Sequence, residues 1–261
     1  MRLVSFNILH GSPLAGGPVS TERLVDACAS LDADVLCLQE VDRGQERSGG
    51  VDQAAAIAEE VGAVAWRFEP ALVGEPGAVW RAATDADTDT DEACYGVAVV
   101  STLPVTGWHV VRLPPSPVSS PVYIPSGHGP RFIWLADEPR VTVAAEVEAP
   151  TGPLLVASTH LSFVPGWNLH QLRRLTGELV TLAGDRGCVM LGDLNVPNPF
   201  SRAAPGWRSL AKAKTFPASK PALQIDHALG RGRLPEVVGF EAVELPVSDH
   251  RALVVDLADA G

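Results

Sequence analysis

Cysteine is scarce in this sequence and is not arranged for chemistry. The four, Cys28, Cys37, Cys94 and Cys188, form no C-x-x-C pair. Cys28 and Cys37 lie in apolar runs and read as buried structural thiols, which suits a reducing compartment. Long apolar runs are missing as well. Nothing approaches the ~18 apolar residues that a helix needs to cross a bilayer. The opening MRLVSFNILHG lacks the length of a secretory apolar region and a small-residue cleavage site. The expectation is a cytoplasmic protein with no integral membrane association. Positive charge is in deficit: 20 Lys and Arg stand against 31 Asp and Glu, a formal net charge of −11. A protein that grips duplex DNA non-specifically usually carries a basic face, because phosphate neutralisation supplies most of that binding. The balance argues against a general nuclease and for a small or medium-sized phosphorylated substrate. Arg202, Arg208, Lys212, Lys214 and Lys220 form one local basic cluster against this trend. With no repeat of fixed period and no interdomain linker, residues 1–261 are read as one domain, acting as a monomer. A chain of that length buries about three-quarters of its unfolded surface and needs no staples.

What is present is a series of short β-branched runs, at residues 2–9, 34–41, 95–101, 140–148, 154–161, 188–194 and 252–256, with a less clean one at 237–245. Residues 21–31, 51–61 and 168–183 carry helical periodicity. In the first, Leu24, Val25, Cys28 and Leu31 form one apolar stripe, and Ser20 stands where an N-cap belongs. Neighbouring strands with few helices argue against a doubly wound parallel sheet and for a largely antiparallel α/β arrangement. Two stretches read as loops. Residues 84–92 (TDADTDTDE) alternate acids, but the helix-loop-helix calcium pattern needs glycine and glutamate where Thr90 and Gly96 stand; a solvated acidic loop is expected. Residues 113–139 are rich in Pro, Gly and Ser, carry Tyr123, Phe132 and Trp134, and read as a long surface loop beside a substrate cleft.

Polar residues recur at the ends of the apolar strands. Asn7 ends Leu3-Val4-Ser5-Phe6, Gln39-Glu40 ends Val35-Leu36-Cys37-Leu38, and Thr159-His160 ends Leu154-Leu155-Val156-Ala157. Asp193 and Asn195 follow Val189-Met190-Leu191, Asp226-His227 follows Ile225, and Ser248-Asp249-His250 precedes the last strand. Any one of these is most simply a cap or a turn, and that plain reading is the better one for a lone Asn7 or Ser248. Six such places offering only carboxylate, carboxamide and imidazole suit hard-cation phosphate chemistry. A hard divalent ion takes oxygen ligands, an attacking water needs a base, and the pentacoordinate phosphorus needs hydrogen-bond donors.

Asn7, Leu38-Gln39-Glu40, Thr159-His160-Leu161, Gly192-Asp193-Leu194-Asn195, Gln224-Ile225-Asp226 and Ser248-Asp249-His250 occur in an order and spacing that resembles the endonuclease/exonuclease/phosphatase superfamily. The run QEVDRGQERSGGVDQAAAIA looks like that of its bacterial members. The resemblance implies a DNase I-like four-layer α/β sandwich, two mostly antiparallel sheets face to face with helices outside. It also implies a Mg²⁺-dependent phosphoric ester hydrolase, with Mn²⁺ as an alternative ion. By that resemblance Glu40 is the main metal ligand, with Asn7 nearby and Asp249 contributing. His250, oriented by Asp226, is the general base or the imidazolium that binds phosphate. Asp193 orients the nucleophile or exchanges protons, Asn195 and His160 donate to the phosphate, and Arg140 helps to shape the site. Without it, His160 reads as a half-buried satisfied histidine and Arg140 as a surface ion-pair partner. His109, His170 and His227 read as structural, and His10 as a solvated loop histidine.

One departure narrows the branch. The abasic-endonuclease members carry an acid where this chain has Leu9, and they lack the equivalent of His160, so repair of abasic sites is disfavoured. The expected substrate is a phosphorylated small molecule, sugar or lipid headgroup. The competing readings are a nuclease using the same residues, with Trp134 and Trp167 as stacking surfaces, and a silent scaffold that binds a phosphorylated partner.

Overall fold

The computed structural model describes residues 1–124, 131–197 and 204–259. In chain order the first strands are β1 (Arg2–Asn7), β2 (Val35–Arg43), β3 (Ala65–Gly74), β4 (Trp80–Ala82), β5 (Cys94–Ser101), β6 (Val105–Leu113), β7 (Ser120–Ile124) and β8 (Arg131–Leu135). The remainder are β9 (Arg140–Ala149), β10 (Gly152–His160), β11 (Gly187–Asp193), β12 (Arg208–Ser209), β13 (Asp226–Arg231), β14 (Val237–Val243) and β15 (Ala252–Leu257). Three helices accompany them among the described residues: α1 (Thr21–Ala29), α2 (Gln53–Glu60) and α3 (Trp167–Ala183).

The strands build a seven-stranded sheet in the order β14-β15-β1-β2-β5-β3-β4 and a six-stranded sheet in the order β12-β13-β11-β10-β9-β6. Each sheet is antiparallel except for one central parallel pair, β1–β2 in the first and β10–β11 in the second. Alternation along the strands sorts three apolar layers. Leu3, Val35, Cys37 and Val99 of the first sheet meet Val143, Val156, Val189 and Leu191 of the second. On the outer face of the first sheet, Val4, Phe6, Leu36 and Leu38 pack on Leu24 and Cys28 of α1 and Ile57 of α2. On the outer face of the second, Leu155, Ala157 and Met190 pack on Leu172, Leu175 and Leu179 of α3. The result is the expected four-layer sandwich of the DNase I-like fold. The helix starts follow local rules: the Ser20 side chain accepts from the Arg23 amide at 3.2 Å and Asp52 from the Ala55 amide at 2.9 Å.

The differences from the sequence reading have physical reasons. The 113–139 stretch is not simply a loop, since β7 and β8 inside it pair as an antiparallel hairpin. Its Pro-, Gly- and Ser-rich composition masked two short runs of β-branched and aromatic residues. Residues 125–130 lie outside the described residues, as do Arg202 of the basic cluster and the side chains of Tyr123 and Phe132. β3 escaped notice because Arg67, Glu69 and Pro70 interrupt its apolar pattern. The 84–92 acids are not all solvated either: Asp87 is buried, accepting from Arg81 and from the Thr84 amide at 2.8 Å. His10 is half-buried, not a solvated loop residue; its main-chain oxygen accepts from Gln53 at 2.7 Å.

The pairing of β11 with β10, where Gly192 lies level with Thr159, leaves no room for a side chain at Gly192. Its φ is +157°, and a Cβ there would lie 1.9 Å from the Thr159 carbonyl oxygen. Gly192→Ala should therefore lose about 3 kcal/mol or more in urea unfolding. Gly177→Ala, on the exposed face of α3 where a Cβ meets nothing within 4 Å, should gain about 0.5–1 kcal/mol.

Candidate active site

The two parallel pairs determine where the chemistry-bearing residues gather. Parallel strands end on the same side, so β1, β2, β10 and β11 bring Asn7, Gln39-Glu40, His160 and Asp193 to one edge of the sandwich; Asn7 is level with Gln39 and His160 with Asp193. The antiparallel neighbours contribute from their starts: Asp226 opens β13 opposite Asp193, and His250 lies just before β15. Glu40, His160, Asp193, Asn195 and His250 line one cleft of about 330 Å³ together with Arg140, while Asn7, Gln39, Asp226 and Asp249 do not line it.

Glu40 reaches that cleft through a defect in its strand. Gln39 pairs with Val97 and Val41 with Gly96, so Glu40 is an extra residue on β2, and its φ is +56°. A β-bulge re-aims the side chain that strict alternation would have sent toward the helices. Asn195 (φ +49°) and Ser248 (φ +72°) hold similarly uncommon left-handed conformations; such strain concentrates at functional positions. The Ser248 hydroxyl donates to the Asn7 carbonyl at 2.6 Å and accepts from the His250 amide at 3.0 Å. This serine, read as a plain cap in the sequence, locks the end of β1 to the approach of β15.

Asn7 is the link between the two sheets. Its Nδ2 donates to Glu40 at 3.0 Å and to Asp193 at 3.1 Å, while its Oδ1 accepts from the Leu9 amide at 3.1 Å. In this orientation its amide nitrogen, not its oxygen, faces the carboxylates. Beneath it, Gln39 donates to the Ser158 hydroxyl at 3.1 Å, and Ser158 donates to the Leu38 carbonyl at 3.1 Å, a second polar tie between sheets. Asp226 accepts from His250 Nδ1 at 2.9 Å and from the Thr215 hydroxyl at 2.5 Å. His250 Nε2 lies 3.7 Å from Asp193 Oδ2, and His160 Nε2 lies 3.7 Å from the same oxygen. Asn195 donates to His160 Nε2 at 3.3 Å and to the Leu161 carbonyl at 3.0 Å, and its own carbonyl is held by Asn168 at 2.7 Å. Arg140 is buried beside Asp137 at 3.6 Å, with its Nε unpartnered. Asp249 is half-exposed, its carboxylate 3.9 Å from His250 Nε2. Thr215, Ser158, Asn168 and Ser248 were not assigned a role from the sequence. The Ser-Asp-His run was the only signal for any of them.

The electrostatics set four groups apart. Burial holds the Glu40 carboxyl above its ordinary value, against the Asn7 hydrogen bond and the His250 charge. Burial and the nearby Asp226 charge push Asp193 well above the ordinary carboxylate range. Burial would lower His250, but the Asp226 charge and hydrogen bond, then Asp193 and Asp249, outweigh it and raise the imidazole to about 10. His160 is driven well below its ordinary value by burial and by the charges of Arg140 and His250, so it is a neutral ring. His227, by contrast, is occupied by the Val196 carbonyl at 2.7 Å and His109 by Glu146 at 2.7 Å; both are away from the cleft. Trp167 donates to the Pro114 carbonyl and stacks on His170. Lys212 and Lys214 line a separate depression with Leu223 and Gln224.

The donor set fits a hard divalent cation. Among the described residues no Lys or Arg lies within ion-pair distance of Glu40 or Asp193, and the charge nearest Asp193 is the His250 ring at 3.7 Å, so Glu40 is a carboxylate at the cleft without a fixed counter-charge. That is a situation a cation with oxygen ligands relieves. Asp193, Asp226 and His250 also lie within 4.8 Å of one another, but His250 and Asp226 are already engaged with each other, which leaves Glu40 the freer ligand.

Structural comparison agrees with the fold. An endonuclease/exonuclease/phosphatase from Beutenbergia cavernae superposes over 100% of this chain and 72% of its own length, with a TM-score of 0.69 at 22% identity. The human Nocturnin catalytic domain with bound sulfate covers 100% and 94% at a TM-score of 0.65 and 16% identity. A mannosyl-6-phosphatase from Bacteroides thetaiotaomicron covers 99% and 99% at 0.58 and 14%. No curated protein sequence matches the chain. The sequence profile of the Endonuclease/Exonuclease/phosphatase family matches residues 4–250, nearly the whole chain, which therefore belongs to this family of phosphoester hydrolases.

Proposed function

We propose that the protein is a Mg²⁺-dependent hydrolase, with Mn²⁺ able to substitute, of a phosphorylated small molecule, sugar or lipid headgroup. The observation that carries this reading is the meeting of Glu40 and His250 in one cleft, joined through Asn7 and Asp193. Glu40 would hold the ion, with Asn7 beside it and Asp249 near the mouth. When bound, such an ion stabilises charge on the phosphoryl and leaving oxygens.

The remaining steps fall to side chains of this chain. Arg140, with an unspent buried donor, and the amide of Asn195 bind the non-bridging oxygens. His160 stands beside Asn195 as a neutral ring within the same pocket. His250 is held as the imidazolium between Asp226 and Asp193 and is a donor to the phosphate, because a ring raised to about 10 is already protonated at neutral pH. Asp193, whose proton affinity is raised toward neutrality by burial, takes the proton of the attacking water. The water oxygen bonds to phosphorus, the ester P–O bond breaks, and the leaving oxygen takes a proton from the His250 imidazolium and departs as the alcohol, the Asp193 proton then returning to His250 at 3.7 Å.

Assays with generic aryl phosphomonoesters and phosphodiesters test this directly. Turnover should require Mg²⁺ or Mn²⁺, and His250→Ala should lower kcat at least ~100-fold; unchanged turnover in that variant refutes its role. Glu40→Gln should weaken Mg²⁺ binding in calorimetry by roughly 10-fold or more.

Stability offers a second check. His250 is raised, so its contribution is complete below its ordinary value of 6.5 and is lost as pH climbs through about 10. Glu40 and Asp193 are also raised, so the native state holds their protons more tightly than the unfolded chain and loses that advantage as pH rises. Without metal, the Tm should fall from pH 5 to pH 9. Added Mg²⁺, which binds the deprotonated carboxylates, should raise Tm more at pH 8 than at pH 5. An increment that is equal at both pH values, or larger at pH 5, contradicts the assignment of Glu40 to the ion.

A further inference from the structure

We infer that the group esterified to the scissile phosphate is a single planar, largely apolar ring that carries no second phosphate, an inference that rests on the hydrolase reading above. The cleft has two unlike walls. One is the polar constellation of Glu40, Asp193, Asn195, His160 and His250. The other is made by Phe163, just beyond β10, by Phe216 and Ile225 from the segment that leads into β13, and by Leu135 at the end of β8. Phe163 and Phe216 are both only half-buried, so aromatic surface is left open inside a functional cleft, where an apolar ligand face would cover it favourably.

The two walls meet at the reacting centre. The Phe216 ring lies 4.9 Å from the His250 imidazole, centroid to centroid, tilted by 49°. A phosphate held by His250 therefore has its ester group beside Phe216. At about 330 Å³ the space is at the lower end of small-molecule sites, which run from ~300 to 1,000 Å³. It accommodates a phosphoryl group and roughly one ring.

Charge excludes a polyphosphate. Arg140 is the only Lys or Arg among the described residues lining the cleft, and the scissile phosphate uses it. On the same rim Glu138 accepts from the Gly77 amide at 3.1 Å, a carboxylate that repels a second anion. The exposed lysines Lys212 and Lys214 border the separate depression instead. A bisphosphate or a nucleic-acid strand would find aromatic carbon or a carboxylate where it needs cations.

Non-hydrolysable phosphonates separate binding from turnover. In calorimetric titrations of the full chain with Mg²⁺, benzylphosphonate should bind about 10-fold or more tightly than 2-hydroxyethylphosphonate, the factor expected from covering roughly half of a phenyl ring. Phe163→Ala and Phe216→Leu should each weaken benzylphosphonate at least ~5-fold more than 2-hydroxyethylphosphonate. The phosphonate analogue of adenosine monophosphate, which sets a ribose between phosphorus and the base, should bind more weakly than benzylphosphonate, and tighter binding overturns the placement of the ring directly on the phosphate. Equal or reversed affinity of the first pair, no binding of either at millimolar concentration, or tighter binding of fructose 1,6-bisphosphate than of fructose 6-phosphate overturns the inference. Absence of hydrolysis with the benzyl preference intact overturns only the hydrolase reading.

Discussion

The site depends on the polar ties that cross between the sheets at one edge. Asn7 on β1 bonds Glu40 on its own sheet and Asp193 on the facing one, and Gln39 bonds Ser158 just beneath. Apolar sheet packing tolerates small slides, because dispersion and burial are non-directional. Hydrogen bonds between buried groups do not, since a shift that leaves a buried donor or acceptor unmade costs about 1–3 kcal/mol. The bonds at Asn7 and Gln39 thus set the relative position of the sheets where it matters. With the sheets fixed, Glu40 and His250, supplied by different ends of the chain, keep their distance.

The same edge shows how the fold converts an apolar pattern into a reactive one. Along the inter-sheet face, β1 reads Leu3-Ser5-Asn7, β2 reads Val35-Cys37-Gln39, β10 reads Leu154-Val156-Ser158-His160, and β11 reads Val189-Leu191-Asp193. Each row is apolar at its start and polar at its end, and the parallel pairing aligns all four ends. The core therefore grades into the cleft without a separate scaffold. Burial at that boundary is also what perturbs the titrating groups: it raises Glu40 and Asp193 and neutralises His160. The one ring that resists it, His250, does so because Asp226 is hydrogen-bonded behind it.

Much of this was legible in the sequence. Apolar rows ending in Asn, Glu, His or Asp announce strands that carry chemistry at their tips, and six such rows named the residues that gather at the edge. A largely antiparallel α/β arrangement followed from neighbouring strands with few helices, and the four-layer sandwich from the resemblance to the family. Three features were not legible. The bulge at Glu40 is a register event between β2 and β5, invisible without the partner strand. The hairpin of β7 and β8 is masked by the turn-rich composition around it. Supporting residues such as Thr215 and Asn168 act through tertiary hydrogen bonds to Asp226 and Asn195, and nothing local distinguishes them from any surface threonine or helix-end asparagine. Orientation was hidden too: the sequence names Asn7 beside the metal, but only the bonds show that its amide nitrogen faces the carboxylates.

That orientation bears on how the site works. With Nδ2 between Glu40 and Asp193, Asn7 partly compensates two carboxylates that have no Lys or Arg within ion-pair distance among the described residues, Asp193 having only the His250 ring at 3.7 Å. It thereby keeps the pair close in the absence of a metal, which simple repulsion would oppose. On the reading that Glu40 holds a divalent ion, the ion would supply that compensation, and a rotation about one side-chain bond would turn the Asn7 amide oxygen toward it. The Leu9 amide, bonded to Oδ1, is the group that would have to find another partner. The bonds of Asn7 to Glu40 and Asp193 thus hold the two carboxylates in register across the sheets.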